Sequence, residues 1–382
     1  MGCLLRVHPI MPDRLANPFR ILLLVHVVFL TTAFFHDWRI AGTAVCTRLV
    51  PMMMMVVAAS CIESKEDLKI ALTPVILITL VQVPAGVAMI LAGKSSLPSV
   101  FHAIQALTVL RRDERMSVNA FSGFASTPAL LSTGMIGILF LVLAMSLLER
   151  KSWTKVLLTV SSLGLVFVIY LTVRRGMFLL AVAGLTMYGV ALSRKVWQQV
   201  LMVFVVLVSM LGVRLIDSGE VIRGSEVTKR SDVLVTGLQV ENRFTDVFLP
   251  ILEYWIETKP VGSFLGNGGL EALAFERDKE MPIEVLAGTW VVEFGIVGAV
   301  TCVLAMATFL WRVYRLALNV LEPSVARTLA LYCVGFFGIA FLKEGSAFCQ
   351  VTLGQLVFWS IPGLVVGLNE RWKRPNYPPT HG

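Results

Sequence analysis

The 382-residue sequence has few charged residues, and its cysteines show no pattern typical of a metal site or a disulfide framework. Only 15% of the residues are Asp, Glu, Lys or Arg, against 56% hydrophobic residues and a mean hydropathy of +0.78. The six cysteines lie mostly inside or beside apolar segments, without paired spacing. Because an ordinary soluble domain has about 25% charged residues, this composition excludes that class. No structural metal, disulfide or cofactor is expected.

The sequence also lacks internal repeats, low-complexity tracts and a signal-peptide cleavage site. The first apolar run, 19–35, follows basic residues, but the Phe-His-Asp-Trp after it offers no small residues for cleavage. We therefore expect this run to remain as a helix. The net charge of +8 comes from short Lys and Arg clusters between apolar runs. This placement indicates membrane topology, and no nucleic-acid partner is expected.

Continuous apolar runs predict about ten membrane-spanning helices. A bilayer core of about 30 Å needs about 20 apolar residues per helix, and a helix satisfies its own backbone groups in lipid. The expected fold is all-α, a single membrane domain over residues 1–382. The predicted spans are 19–35, 40–61, 69–92, 128–148, 153–173, 177–193, 196–216, 286–311, 326–342 and 350–368.

The distribution of Lys and Arg predicts the orientation of these spans. Basic residues recur at every second connection, which places those connections and both chain termini in the cytoplasm. The opposite, outer face then receives two long loops, 93–127 and 217–285. Loops of this length usually carry function. Apolar residues at helical spacing predict short interfacial helices near 101–110 and 244–259.

Three arginines stand where membrane insertion disfavours them. Arg174 and Arg175 occupy a short outer turn, against the positive-inside bias, and Arg48 falls within span 40–61. A guanidinium group matches phosphate oxygens and stays charged. We therefore predict that Arg174 and Arg175 bind a lipid phosphate or diphosphate, with an interfacial anchor as the alternative. Arg48 is a possible additional binding residue, unless the helix begins after it.

Two glutamates at the start of span 286–311 are candidates for acid–base chemistry. Glu284 stands at its mouth, and Glu293 lies about two turns inside it. A carboxylate within a span costs about 2.5 to 3.5 kcal/mol, so it normally faces a cavity or a partner. A nearby arginine would keep either glutamate ionised and able to accept a proton. The alternative is a structural ion pair with one of the loop arginines, Arg223, Arg230 or Arg243.

The order of several motifs resembles the O-antigen polymerase and O-antigen ligase superfamily of bacterial membrane glycosyltransferases. The resemblance covers most of the chain from about residue 121 onward. Its motifs are Phe121 to Pro128 entering a helix; Arg175-Gly176 at an outer turn; Arg243, Trp255, Pro260 and Gly266 to Gly269 in the large loop; and Glu293-Phe294-Gly295 in the next helix.

This resemblance implies a metal-independent, inverting transfer of a glycan from undecaprenyl diphosphate at the outer face of the bacterial inner membrane. Arg174, Arg175 and Arg243 would bind the diphosphate, whose negative charge grows as it leaves. Arg243 and Glu284 would be catalytic, and Arg48 and Glu293 are possible additional site residues. The implied partners are the lipid bilayer, the lipid-linked glycan, and possibly a chain-length regulator and a flippase.

Alternative functions remain open at this point. Glu284 stands where ligases of the family have His, which favours a polymerase over a ligase that transfers glycan to lipid A core. A polysaccharide transporter or flippase would often show an inverted repeat and charges near the midplane. No repeat is detected, and the unusual charges lie at one face. A non-enzymatic component of an assembly complex is the remaining alternative.

Overall fold

The protein was analysed as a computed structural model that describes residues 13–36, 42, 45–61, 128–172, 174–193, 220–223, 226–229, 249–258, 286–342 and 352–372, with single positions at 67, 70, 73 and 77. These residues are predominantly helical. The helices are α1 (Asp13–His36), α2 (Val50–Cys61), α3 (Pro128–Leu148), α4 (Ser152–Leu171), α5 (Arg175–Leu192), α6 (Leu249–Thr258), α7 (Leu286–Val320), α8 (Pro323–Leu342) and α9 (Leu353–Trp372). A π-helical turn, Val45–Leu49, leads directly into α2.

Four of the described helices are long and apolar enough to cross a membrane. They are Ala129–Leu148, Ser152–Leu171, Leu286–Val320 and Pro323–Leu342, and four shorter apolar helices accompany them. Apolar side chains also cover outward faces, as Val156, Leu157 and Val160 do on α4. A helix that is apolar all round is stable in lipid or in a protein core, so these helices support the predicted membrane protein.

Described helices overlap eight of the predicted spans, although one of them, 286–311, is interrupted within its length. The other two, 69–92 and 196–216, lie outside the described residues apart from Ile70, Thr73 and Leu77. Ten spans and the cytoplasmic location of both termini therefore stay predictions. Within the described bundle α3 is central, because 89% of its apolar window is buried, against 39% for α4.

Close helix contacts show that several helices begin at the same end of the bundle. A Cβ placed on Gly354, near the start of α9, would lie 2.1 Å from the Thr133 carbonyl oxygen near the start of α3. A Cβ on Gly176, at the start of α5, would lie 2.9 Å from Ile339, near the end of α8. Small residues at such crossings let helix backbones approach closely. We name this end of the bundle the upper end.

The end of α1 and the start of α2 also lie close to the upper end of the bundle. Gln355 of α9 donates a hydrogen bond to the Thr47 carbonyl, just before α2, at 3.2 Å. The guanidinium carbon of Arg48 lies 5.2 Å from the ring centre of Phe29, in the last third of α1. The start of α2 and the end of α1 therefore also lie at the upper end.

The long helix α7 is sharply interrupted at Gly295. This residue has φ 71° and ψ 173°, a conformation that essentially only glycine adopts. Cβ atoms four residues apart on a straight helix are about 5–6 Å apart, but a Cβ on Gly298 would lie 2.6 Å from Cβ of Phe294. The chain therefore folds back at Gly295. We name residues 286–294 the folded-back segment.

Two further contacts establish the direction of this segment. Leu286 and Met306 line the same small cavity, although a straight helix would separate them by about 30 Å. Trp290 contacts the rings of Phe337 and Phe341 on α8, with centroid distances of 5.9 and 6.1 Å. The prediction of one continuous span over 286–311 is therefore wrong. The folded-back segment is a separate, fully buried helix that packs beside residues 296–320.

The predicted outer loop 217–285 contains a β-hairpin as well as a helix. Strands β1 (Glu220–Arg223) and β2 (Glu226–Lys229) pair antiparallel, with Glu220 opposite Lys229 and Arg223 opposite Glu226. The sequence predicts a short helix in this loop, but it does not predict the hairpin. Helix α6 confirms the predicted helix near 244–259, whereas the one near 101–110 lies outside the described residues.

Candidate functional site

A buried ion pair joins Arg48 and Glu293 near the upper end. Nη1 and Nη2 of Arg48 donate to Oε2 and Oε1 of Glu293, and the two side chains are only 10% and 6% exposed. This two-point geometry uses the planar fork of arginine. The sequence marks both residues as possible site residues, but it offers loop arginines as partners for such a glutamate. The structure instead pairs Glu293 with a residue 245 positions away.

Local backbone irregularities position both members of the pair. Arg48 lies in the π-helical turn Val45–Leu49, so the α-helix begins after it. Such π-helical turns are frequent at functional sites. Glu293 lies two residues before the bend at Gly295, and not two turns along a straight span as the sequence predicts. Each charged residue therefore lies at or beside an irregular piece of backbone: Arg48 in the π-helical turn, and Glu293 beside the bend at Gly295.

Aromatic rings enclose the guanidinium group of Arg48. Its central carbon lies 5.2 Å from the ring centre of Phe29 and 5.9 Å from that of Phe294. The imidazole of His26 packs edge-on against Phe294 at a centroid distance of 5.2 Å. Cation–π contacts of this kind strengthen when water is excluded. The rings hold the arginine in place and separate the ion pair from bulk solvent.

A small cavity of about 20 Å³ lies beside the ion pair. Its polar lining comes from His26, Arg48, Gln355 and Trp359. Nδ1 of His26 donates to the Leu22 carbonyl at 2.7 Å, whereas Nε1 of Trp359 is buried without a hydrogen-bond partner among the described residues. The cavity is large enough for one water molecule, which could accept the Trp359 N–H.

Arg174 lies at the same end of the bundle as the ion pair. It is half-buried and immediately precedes α5, while Gly176 packs on Ile339 of α8. On the same part of α8, Phe337 and Phe341 contact Trp290 of the folded-back segment. The turn with Arg174 and the segment with Glu293 therefore pack against the same stretch of α8. Arg175 is the first residue of α5.

Several predicted site residues lie outside the described residues. These are Arg243 and Glu284, the glycine-rich stretch 262–269 and the residues 121–127 that begin the first motif. Their roles stay predictions. Within the described part of the chain, no group of three or more His, Cys, Asp or Glu side chains could hold a metal ion.

Sequence reasoning missed the polar residues that surround the ion pair. His26, Gln355 and Trp359 all lie within apolar helices and line the cavity. His26 and Gln355 could have been found in the sequence, because each is a lone polar residue in an apolar span and such residues normally face a partner or a cavity. This pattern does not show which other residues they contact.

Comparisons with known proteins give similarities to solved structures only at the level of the chain fold. No protein-family model and no curated protein matches the chain. A solved structure described as "Structural coordination of polymerization and crosslinking by a peptidoglycan synthase complex" contains a similar chain, with a TM-score of 0.48 and 15% identity. The similarity covers 94% of this chain and 98% of that chain. We base the functional proposal on the residues of the present chain.

Proposed function

We propose that this protein is a membrane glycosyltransferase that polymerises oligosaccharide units linked to undecaprenyl diphosphate. The observation that carries the proposal is the shared location of Arg174 and the buried Arg48–Glu293 pair at the upper end of an apolar helix bundle. A guanidinium group at one end of a lipid-embedded bundle, such as that of Arg174, matches the diphosphate of a lipid carrier, and the charge pair beside it makes this end the polar one. The order of the sequence motifs supports the same reaction class.

In this proposal, Arg174, Arg175 and Arg243 bind the donor diphosphate. The acceptor hydroxyl oxygen forms a bond to the anomeric carbon of the donor sugar while the bond from that carbon to the diphosphate breaks. Glu284 takes the proton from the hydroxyl, and the lipid diphosphate leaves with the electron pair of the broken bond. Fixed guanidinium groups in a water-poor site stabilise the charge that develops on the leaving group.

A reconstituted polymerisation assay tests the proposal. The purified protein is incubated in liposomes with a lipid-linked repeat unit, and glycan chain length is measured for Arg174→Ala, Arg175→Ala, Arg243→Ala and Glu284→Gln. Each arginine variant should lose roughly 100-fold or more of the polymerisation rate, as removal of a charge-stabilising group does, and Glu284→Gln should lose roughly as much because it removes the general base. Arg327→Ala is the matched control, because Arg327 is exposed near the start of α8, at the end opposite to Arg174.

The outcome of this assay distinguishes the enzymatic alternatives. Full chain length in all four variants would contradict the assigned roles. If the wild-type protein transfers glycan to lipid A core but does not lengthen the lipid-linked unit, the enzyme is a ligase. If it makes no glycosidic bond with either acceptor, the proposed activity is wrong.

One observation favours a transporter as the second candidate. The interrupted α7 and the buried charges beside its bend are features that secondary transporters use at their binding sites. Proteoliposomes loaded with a fluorescent lipid-linked glycan would test it. Movement of the glycan between leaflets without a new glycosidic bond would support transport and contradict polymerisation.

A further inference from the structure

The Arg48–Glu293 pair joins two elements that are otherwise without charge. Arg48 is the one charged residue in the helical stretch 45–61, and Glu293 is the one charged residue in 286–311. Helices in lipid associate through van der Waals packing and interhelical polar contacts, because the surrounding solvent is as apolar as their side chains. A single complementary pair adds a directional contact to this packing, as one buried polar contact fixes the register of some helix assemblies.

The folded-back segment depends on contacts outside itself. Its nine residues are too few for a helix that is stable alone, and all of them are buried in the bundle. It follows the large loop 217–285 in the chain, so its position determines where that loop joins the bundle. Its one ionic contact with another helix among the described residues is the bond from Glu293 to Arg48.

The folded-back segment is also connected to the turn that carries Arg174. Trp290, three residues before Glu293, packs on Phe337 and Phe341 of α8, and the α5 start packs on Ile339 between them. A shift of the folded-back segment would therefore change the packing of α8 at the level where Arg174 lies. The ion pair is two-point and enclosed by Phe29 and Phe294, so it resists such a shift.

We propose that Arg48 and Glu293 are positioning residues: their ion pair holds the folded-back segment against α8 and so maintains the geometry of the upper end for catalysis. The pair acts through the segment and does not contact the reacting atoms. The catalytic part of this inference rests on the proposed function, whereas the holding of the segment does not depend on it.

The rate at which a buried cysteine is chemically modified measures whether the Arg48–Glu293 pair holds the folded-back segment. Val292 is fully buried in the folded-back segment, so Val292→Cys is made in a chain whose six native cysteines are replaced by Ala. In native membranes this thiol should resist a small thiol reagent. Glu293→Gln or Arg48→Met should raise its modification rate roughly tenfold or more, because one charge of a buried pair is then left without its partner.

Two further variants separate positioning from general damage. The charge swap Arg48→Glu with Glu293→Arg should restore protection of Val292→Cys and part of the activity. Arg48→Lys keeps the charge but loses the two-point fork, so it should give intermediate protection. Glu322→Gln is the matched control, because Glu322 is an exposed glutamate between α7 and α8, and it should change neither readout.

Steady-state polymerisation by the same variants tests the catalytic consequence. The single variants should lower kcat by roughly tenfold to 100-fold with little change in KM, as small displacements of catalytic geometry do. Equal protection of Val292→Cys in wild type, Glu293→Gln and Arg48→Met overturns the inference. If protection changes as expected but the wild type forms no polymer, the proposed function fails and the role of the pair in holding the segment stands.

Discussion

Two groups of helices in this protein differ in one of the interactions that hold them together. Helices α3, α5, α8 and α9 meet through glycines and aromatic rings, as where a Cβ on Gly184 would lie 2.6 Å from the Phe140 ring. Around α1, α2 and α7 the packing is similar, since a Cβ on Gly363 would lie 2.2 Å from a backbone oxygen of α2, but here the buried charges of Arg48 and Glu293 are added. Shape complementarity specifies both groups, and the second group has a charge pair as well.

Polar side chains show the same contrast. In the first group they form ordinary hydrogen bonds: the Tyr332 hydroxyl donates to the Gly354 carbonyl at 2.7 Å, and Tyr188 bonds to the Ser146 hydroxyl at 2.6 Å. In the second group an irregular π-helical turn and a bend at Gly295 bring full charges together. Close packing fixes the first group, and in the second group a two-point ion pair also fixes the folded-back segment. The charged group is therefore the part that we expect to position the upper end.

The largest effect should come from removing one charge in the second group. Glu293→Leu leaves Arg48 buried without its partner and should lower the free energy of unfolding by about 3–5 kcal/mol. The double variant Arg48→Met with Glu293→Leu removes both charges and should recover most of that loss. Denaturant unfolding in detergent measures both values.

The double variant tests the contrast between the two groups directly, because it removes the charge pair that distinguishes the second group from the first. If stability returns while polymerisation stays lost, the ion pair serves function more than stability. Recovery of neither would contradict this interpretation, and so would a single variant as stable as the wild type. Glu322→Gln controls for the loss of a glutamate at an exposed position.

The next largest effect should come from a methyl group in the first group. Gly354→Ala places a Cβ 2.1 Å from the backbone oxygen of Thr133, so α3 and α9 must separate. Overpacking of this kind should cost about 3 kcal/mol. Gly338→Ala is the matched control, because its Cβ meets nothing within 4 Å. Thermal unfolding in detergent compares the two variants, and equal melting temperatures would contradict the role of glycine at this crossing.

Most of the helices could be predicted from sequence because they are long apolar runs, and hydropathy records that property directly. The bend at Gly295 could not, because hydropathy contains no information on backbone dihedral angles, and glycine is frequent in membrane helices. Short strands such as β1 gave no clear signal, since four alternating residues in a polar loop are too few.

The candidate site was predictable only in part, for a similar reason. A lone charge in an apolar run identified Arg48 and Glu293 separately, because its insertion is unfavourable without a partner. Their pairing depends on how the turn Val45–Leu49 lies against the folded-back segment, which no local pattern specifies over 245 positions. The sequence therefore indicated which residues need a partner, and the structure supplied the partners.

A smaller effect should follow from Gly295→Ala in the second group. Any residue with a Cβ is strained at φ 71° and ψ 173°, which should cost about 2 kcal/mol. The folded-back segment should then pack less firmly, so polymerisation should fall more than stability does. Activity and melting temperature measured on one preparation check this, with Gly338→Ala again as the control. Unchanged activity would contradict the need for the bend.

The smallest effect should come from Tyr188→Phe, which tests the hydrogen bonds of the first group. The Tyr188 hydroxyl bonds to Ser146 at 2.6 Å and to Thr159 at 2.9 Å, and Phe removes both bonds without changing the shape of the ring. Hydrogen bonds between membrane helices contribute about 0.6 kcal/mol each on average, so the loss should be about 1 kcal/mol. Denaturant unfolding measures it, and polymerisation should stay unchanged. A loss as large as that of Glu293→Leu would contradict the contrast between the two groups, because shape would then not suffice to hold α3 and α5 together.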